Sequence, residues 1–314
     1  MSSEAKNILF RADSSSLIGT GHIMRDLVLA QKYVEKDNKI FFATQELEGN
    51  INHKILEAKY KLNILKSNNL KELNNLIKKL DIDMIVIDHY EIDYKFEKKL
   101  KQKNPNLKIF VFDDTYEKHH CDILLNHNIS ANKKKYKNLV PKNCKLKCGS
   151  KYTLLRDEFL IEKKKLKRKK QFKIQNLRFK IFIAMGGADH SNINVKILKV
   201  LKEFKKIEVN LVTTTANQNL NVLKKYCKNK PWIKLHINSK QIAKLIVKND
   251  FTIVTPSVTV NEVYYLGLPL IAIKTADNQL DIYEYLKKNK YLVLPKFNNK
   301  ILKQYIKKMI KRLR

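Results

Sequence analysis

The sequence is poor in glycine, with 7 among 314 residues, and poor in acidic residues, with 30 against 64 lysines and arginines. No apolar run approaches the roughly 20 residues that a membrane-spanning helix needs. The first residues also lack the charged-then-apolar pattern of a signal peptide. We therefore expect a cytoplasmic protein without stable membrane insertion. Hydrophobic residues make up 44% of the chain, which is enough for packed cores.

Cysteine is sparse as well. The chain has four cysteines, Cys121, Cys144, Cys148 and Cys227. Cys144 and Cys148 have a loosely metal-like spacing, but a tetrahedral site needs two more ligands and no second pair follows. We expect buried free thiols in a reducing compartment and no bound metal.

The net charge of +34 is the largest imbalance in the composition. A basic excess of this size is typical of proteins that bind nucleic acid or an anionic surface. Here the lysines are spread from Lys6 to Lys311 among Leu, Ile and Asn, and no nucleic-acid motif accompanies them. Arginine, whose guanidinium group binds phosphate through two parallel hydrogen bonds, is scarce. The pattern favours a compositional preference over a nucleic-acid partner, although the charge would still attract an anionic small substrate.

The few glycines are concentrated. Gly19 and Gly21 lie between a short apolar run and a helical pattern, and Gly186 and Gly187 lie in a second loop of the same kind. Glycine permits backbone angles closed to other residues and close approach to a ligand. A glycine-flanked turn before a helix also presents free N–H groups and a positive dipole end, which suits phosphate.

His22 falls in the first turn of the first predicted helix, with Arg25 and Asp26 on the same face. A histidine at this place is suited to act as a base near neutral pH. The residues alone support equally well a histidine that caps or packs the turn. Asp13, just upstream, would orient His22 or a sugar hydroxyl, or simply close the turn.

Strand and helix patterns alternate along the rest of the chain. The segments 39–44, 84–88, 108–114, 121–126 and 145–150 read as strands, and a second series starts at residue 180. Alternation of this kind predicts an α/β protein with parallel sheets and right-handed crossovers. Polar residues gather just after several strands, at the edge where open α/β sheets bind ligands.

The pattern predicts two Rossmann-like domains. We place a first domain at residues 1–161, a basic linker at 162–179 and a second domain at 180–298. The last segment, 299–314, reads as a basic amphipathic helix that packs on a domain or touches a membrane, packing being the commoner outcome.

Several segments together resemble one family. They are RADSSSLIGTGHIMRDL near the N-terminus, then DHY, HHCDILLN, CGSKYTLLR, MGGAD and NEV. These segments resemble the nucleotide-sugar hydrolases of pseudaminic acid biosynthesis, which belong to the GT-B superfamily and cleave UDP-2,4-diacetamido-2,4,6-trideoxy-L-altrose. The resemblance implies two Rossmann-like domains in a GT-B arrangement with a central ligand cleft. Residues 1–161 would be the catalytic, sugar-side domain and residues 180–298 the UDP-binding domain.

The resemblance also implies roles for particular residues. His22 would be the catalytic base, and Tyr90 and Asn278 match family active-site positions; alone, Tyr90 reads as a rim aromatic and Asn278 as a helix cap. Glu262 would accept both ribose hydroxyls, and a solvated helix carboxylate is the alternative from the residues alone. The full set of expected substrate contacts is Arg11, Asp13, Gly19, Gly21, Arg25, Gly186, Gly187, Asp189, Ser257, Val258, Glu262 and Gln279.

The sequence therefore predicts a hydrolase that releases UDP and a free sugar without metal or cofactor, acting as a monomer in pseudaminic acid biosynthesis and flagellin glycosylation. A glycosyltransferase on the same fold is the first alternative, in which an acceptor hydroxyl replaces water. A non-catalytic basic protein that binds nucleic acid is the second.

Overall fold

The computed structural model describes residues 5–168, 178–187, 189 and 192–314. The chain divides into two compact units, residues 1–154 and 155–314. This division lies earlier than the predicted boundary after residue 161, and the functional labels of the predicted domains stay predictions. The predicted linker at 162–179 begins inside a helix, and its residues 169–177 lie outside the described residues.

The first unit is built around a parallel sheet. Its described strands are β1 (Asn7–Ala12), β2 (Lys39–Thr44), β3 (Lys61–Ile64), β4 (Met84–Asp88), β5 (Lys108–Phe112), β6 (Ile123–Asn126) and β7 (Lys145–Cys148). Its helices are α1 (Gly21–Val34), α2 (Asn52–Glu57), α3 (Leu70–Lys79) and α4 (Tyr94–Lys103). The strand order is β3-β2-β1-β4-β5-β6-β7, so the direction of winding reverses between β1 and β4. Apolar clusters cover both faces of the sheet, as parallel sheets require.

The second unit repeats this plan. It contains α5 (Asp157–Arg168), β8 (Phe179–Ala184), α6 (Ile193–Leu201), β9 (Ile207–Thr213), α7 (Leu220–Cys227), β10 (Ile233–Ile237), α8 (Ile242–Ile246), β11 (Phe251–Val254), α9 (Val258–Leu266), β12 (Leu270–Ile273), α10 (Leu280–Lys288), β13 (Leu292–Leu294) and α11 (Asn299–Leu313). The order of these parallel strands is β10-β9-β8-β11-β12-β13, with the reversal between β8 and β11.

The C-terminal helix α11 packs on the second unit. Leu302, Ile306 and Met309 of α11 are buried in the core of the second unit, and the helix lies against α6 and β13. Its lysines occupy the opposite face, as the 3.6-residue periodicity of the segment predicts. Among the helices that the structure describes, none is long and apolar enough to cross a bilayer.

The prediction of buried thiols at Cys144 and Cys148 is wrong. Cys121 is buried, whereas Cys144, Cys148 and Cys227 are half-buried and all four are free. Cys144 and Cys148 lie at either end of β7, which is the edge strand of its sheet and so remains partly open to solvent.

Candidate active site

One candidate site lies within the first unit, at the carboxyl ends of β1 and β4, where the strand order reverses. Ligands of open α/β sheets bind at such a point. The loop between β1 and α1 folds back on itself, because Ser15 and Gly19 exchange backbone hydrogen bonds. Gly19 has φ +85°, a left-handed conformation that favours glycine. This turn sets the start of α1 and brings His22, its second residue, to the end of β4.

His22 is held by Asp88, the last residue of β4. Its Nδ1 lies 2.6 Å from Asp88 Oδ1, and both side chains are buried. Since a carboxylate accepts, Nδ1 is the donor, and the neutral ring carries its lone pair on Nε2. Nε2 has no hydrogen bond among the described residues. The structure thus gives His22 the tautomer of a general base, and Asp88, not Asp13, orients it.

Arg25, one turn further along α1, keeps Asp88 charged. Its Nε and Nη2 donate to the two oxygens of Asp88, and its Nη1 donates to Asp114 at 3.3 Å. Burial acts to raise the pKa of Asp88, but Arg25 and His22 outweigh it and hold that pKa well below its usual range. On the same helix, burial and the nearby Asp88 charge raise the pKa of Asp26 well above normal. Asp88 is therefore the ionised carboxylate of the pair.

Tyr90, the last residue of the DHY segment, lies beside His22. The two rings are 5.0 Å apart in an edge-on arrangement, and Tyr90 is half exposed. Its hydroxyl donates to Asp114 at 3.0 Å. Partial burial and the Asp114 carboxylate raise the pKa of Tyr90, so the hydroxyl stays protonated at neutral pH. The contact of Tyr90 with a substrate stays a prediction.

Arg11 and Asp13 form a neighbouring buried pair. Two guanidinium nitrogens of Arg11 donate to Asp13 at 2.7 Å, and Asp13 also contacts Nε2 of His89 at 3.0 Å. Burial acts to raise the pKa of Asp13, but the bonds from His89 and Arg11 lower it strongly. Asp13 also accepts from the backbone N–H of Gln45, whereas Nε of Arg11 is buried and has no hydrogen-bond partner among the described residues. The roles of Arg11 and Asp13 as substrate contacts stay predictions.

A second candidate site lies within the second unit, at the carboxyl ends of β8 and β11, again at the reversal of strand order. Gly186 has φ +84° and open space where a side chain would stand. A Cβ on Gly187 would lie 2.9 Å from Thr214 Oγ1, so close packing requires glycine there. Asp189 accepts from the backbone of Ile193 and fixes the start of α6. Among the described residues of this loop, Gly186 has open space beside its backbone, and the contacts of Gly186, Gly187 and Asp189 with a substrate stay predictions.

The helix α9 begins immediately after the end of β11. Ser257 is its extended N-cap residue, and its side chain makes no capping hydrogen bond. The N–H groups of a first helical turn have no intrahelical partners and carry the positive end of the dipole. Ser257 and Val258 therefore occupy a place suited to an anionic group, as predicted, although this role itself stays a prediction.

Glu262 lies one turn further along α9 and its side chain is largely buried. Its Oε1 accepts from Nη2 of Arg156 at 3.3 Å. Burial raises the pKa of Glu262 to about 7, with Arg156 acting in the opposite direction. A solvated helix carboxylate would show neither feature, so the alternative interpretation of Glu262 is wrong. Its contact with ribose stays a prediction.

Asn278 and Gln279 lie in a single 3₁₀ turn, Asp277–Gln279, that precedes α10. Asn278 is exposed. The side-chain oxygen of Gln279 accepts from Thr255 Oγ1 at 2.8 Å and from the Thr275 backbone at 2.9 Å, which ties this turn to the end of β11. Their roles toward substrate stay predictions. In the part of the chain that the structure describes, no group of three or more His, Cys, Asp or Glu side chains could hold a metal ion.

The sequence analysis gave no role to three residues that the structure places at these sites: Asp88, Asp114 and Arg156. The signal for the first two was present, because both follow buried strands of one parallel sheet. Which of the two would meet His22 depends on the order of strands in the sheet, which a single sequence does not state. Arg156 gave the weaker signal of a rare arginine beside a motif.

Comparison with solved structures identifies the class of fold. Over 98% of its length the chain is similar to Acinetobacter baumannii MurG, with a TM-score of 0.66, 12% identity and 92% of that chain covered. It is similar over 99% of its length to the glycotransferase of kitacinnamycin, with a TM-score of 0.65, 11% identity and 91% of that chain covered. The two Rossmann-like units are those of a GT-B protein, which confirms the predicted fold class.

Sequence comparison identifies the family. No protein-family model matches the chain. The chain is 39% identical over 290 residues to the UDP-2,4-diacetamido-2,4,6-trideoxy-β-L-altropyranose hydrolase of Campylobacter jejuni, covering 92% of this chain and 99% of that protein. It is 31% identical over 285 residues to an uncharacterized protein of Methanocaldococcus jannaschii, covering 88% of this chain and 57% of that protein. The chain belongs to the family of the Campylobacter jejuni hydrolase.

Proposed function

We propose that this chain hydrolyses UDP-2,4-diacetamido-2,4,6-trideoxy-β-L-altropyranose to UDP and the free sugar, by attack of water at the anomeric carbon. The observation that carries the proposal is the buried pair of His22 and Asp88, with Nδ1 held at 2.6 Å and Nε2 left as a base. The relative that is 39% identical to this chain is named for this hydrolysis, which supports the proposal further.

The first unit supplies the chemistry. Nε2 of His22 takes a proton from the attacking water, and the charge that forms on the imidazole is stabilised by Asp88. Arg25 keeps Asp88 ionised and fixed through its two donated hydrogen bonds. Tyr90 stands beside the ring as a neutral hydroxyl and lines the sugar position together with the open turn at Gly19 and Gly21.

The second unit holds the nucleotide. The first turn of α9, at Ser257 and Val258, donates N–H groups to the diphosphate, whose negative charge grows as the glycosidic bond breaks. The open backbone at Gly186 faces the same group. Glu262 accepts the ribose hydroxyls, and Asn278 and Gln279 contact the sugar. This arrangement stabilises the leaving group through helix dipoles and N–H donors instead of a metal.

A turnover assay with a small panel of UDP-sugars tests the proposal. We expect UDP and free sugar to appear with the diacetamido trideoxy sugar, without any added acceptor, and little release from UDP-N-acetylglucosamine. Release only after an acceptor is added would show a glycosyltransferase instead. A failure to turn over any UDP-sugar, with tight salt-dependent binding of nucleic acid, would show the basic binding protein.

The wider setting follows from the same proposal. The free sugar is the precursor from which pseudaminic acid is made, so we place the enzyme in that pathway and in the glycosylation of flagellin. We further propose that it works in the cytoplasm as a monomer, with its UDP-sugar as its partner and without nucleic acid.

The role of Glu262 is testable separately. Glu262→Ala should weaken UDP binding by about 1.5–3 kcal/mol, the scale of hydrogen bonds to a charged group. Glu284→Ala, which removes an exposed carboxylate from α10 of the same unit, is the matched control and should bind UDP like the wild type. Calorimetry that finds the Glu262→Ala affinity unchanged would remove Glu262 from the ribose site and leave the fold untouched.

A further inference from the structure

Arg156 joins two carboxylates that belong to different helices of the second unit. It precedes α5, and its Nη1 lies 2.7 Å from Glu158 Oε1 while its Nη2 donates to Glu262 on α9. The other oxygen of Glu158 accepts the backbone N–H of Ala243, in the first turn of α8. The guanidinium also lies over the ring of Phe159, 5.1 Å from its centroid. Arg156 is thus fixed from several sides, and so is the carboxylate that it contacts.

The charged groups around Glu262 show why its contact with Arg156 matters. From α5, Glu158 opposes ionisation of Glu262, and Lys163 directs its Nζ to the carbonyl of Leu266 at 2.9 Å. The strand β11 contributes no charged side chain to this region. Among the described residues, Arg156 is the cation that hydrogen-bonds the Glu262 carboxylate. Burial already raises the pKa of Glu262 to about 7, so loss of Arg156 would raise it further.

The protonation state of Glu262 decides what it does for a ribose. An ionised carboxylate accepts from two hydroxyls at once, whereas a protonated one presents a donor and loses that symmetry. We infer that Arg156 is a positioning residue for the nucleotide, whose guanidinium keeps the Glu262 carboxylate ionised and oriented to accept both ribose hydroxyls of UDP. This inference rests on the proposed role of Glu262 in UDP binding and adds the residue on which that role depends.

A purely structural arginine is the alternative, and pH separates the two. If Arg156 only tied α5 to α9, its removal would weaken UDP binding equally at every pH. If it keeps Glu262 ionised, the loss is large at neutral pH and disappears at alkaline pH, where Glu262 loses its proton without help. Removing an adjacent opposite charge typically shifts a buried carboxyl by one to three units. A pKa shift of about two units, the middle of that range, would lower the ionised fraction at pH 7 from about one half to about 1% and leave about one half ionised at pH 9.

The experiment measures UDP affinity by calorimetry between pH 6 and pH 9. We expect Arg156→Met to bind UDP roughly tenfold or more weakly than the wild type at pH 7 and to recover to within about threefold at pH 9. Arg156→Lys, which keeps the charge and loses the fork, should fall between the two. Glu262→Gln should bind UDP weakly, and adding Arg156→Met to it should not change the UDP affinity further. Arg312→Met, at an exposed arginine of α11, is the matched control.

The comparison between variants separates the possible outcomes. The phosphate of UDP titrates identically against every variant, so only differences between variants are compared. The inference would be overturned if Arg156→Met bound UDP like the wild type at every pH, or if its loss of UDP affinity were the same at every pH. In either case, weak UDP binding by Glu262→Gln would leave the proposed function standing. Absence of UDP binding by the wild type would overturn both.

Discussion

Replacing His22 by asparagine is expected to lower turnover by roughly two to four orders of magnitude and to leave UDP binding intact. Asparagine can still contact Asp88, but it has no basic nitrogen to take a proton from water. The hydrogen bond from Nδ1 to Asp88, 2.6 Å long, leaves Nε2 as that nitrogen in the wild type. Turnover is measured by UDP release under saturating substrate, and UDP affinity by calorimetry.

His53→Asn is the matched control for this change, because His53 is an exposed histidine on α2 of the same unit. It should retain the activity of the wild type. If His22→Asn kept activity within a few-fold of wild type, His22 would not be the base and the water would be activated elsewhere.

The second large effect is expected at Asp88. Asp88→Asn should lower turnover by on the order of a hundredfold to ten thousandfold, the scale seen when a carboxylate that orients a catalytic histidine becomes an amide. The amide can donate to Nδ1, which then forces the proton of His22 onto Nε2. The substitution also removes a buried charge from Arg25, so the melting temperature should fall; breaking a buried ion pair costs about 3–5 kcal/mol at full strength, and Asp114 offsets part of it.

Asp114→Asn separates the two consequences. Both substitutions remove a carboxylate from Arg25, but only Asp88→Asn removes the partner of His22. We expect Asp114→Asn to be less stable than wild type and to lose much less activity than Asp88→Asn. Asp114 also accepts from the hydroxyl of Tyr90, and Tyr90→Phe, which removes only that bond, is the control for it. Equal losses of activity in folded samples of Asp88→Asn and Asp114→Asn, with Tyr90→Phe active, would mean that the charge on Arg25, and not the tautomer of His22, is what the reaction needs.

The sequence was sufficient for the regular part of the fold. The strands at 39–44 and 84–88 were predicted with the bounds that the structure shows. Two strands were missed, β3 and β13. Both lie at the edge of their sheet and are short, so neither has the long buried apolar run that marks a central strand. The region 50–80 was therefore described as helix-like, although β3 crosses it.

The site was predictable in its parts and less so in its connections. His22, Tyr90 and Glu262 were named from motifs, and the polar ends of β4 and β5 were noticed as a ligand-binding edge. The partner of His22 was not predicted, because residues 22 and 88 meet only through the pairing of β1 with β4. The same holds for Arg156 and Glu262, whose contact depends on how α5 packs on α9.

Oxygen labelling tests the central claim most directly, since water can attack either the sugar carbon or a phosphorus. Attack at phosphorus in pyrophosphate hydrolases generally recruits metal ions held by carboxylates. The described site offers instead a base beside the sugar position and N–H donors at α9. In ¹⁸O-water we expect the label in the released sugar, unlabelled UDP and no UMP. Mass spectrometry that found the label in phosphate, or UMP together with a sugar phosphate, would show a pyrophosphatase and contradict the account.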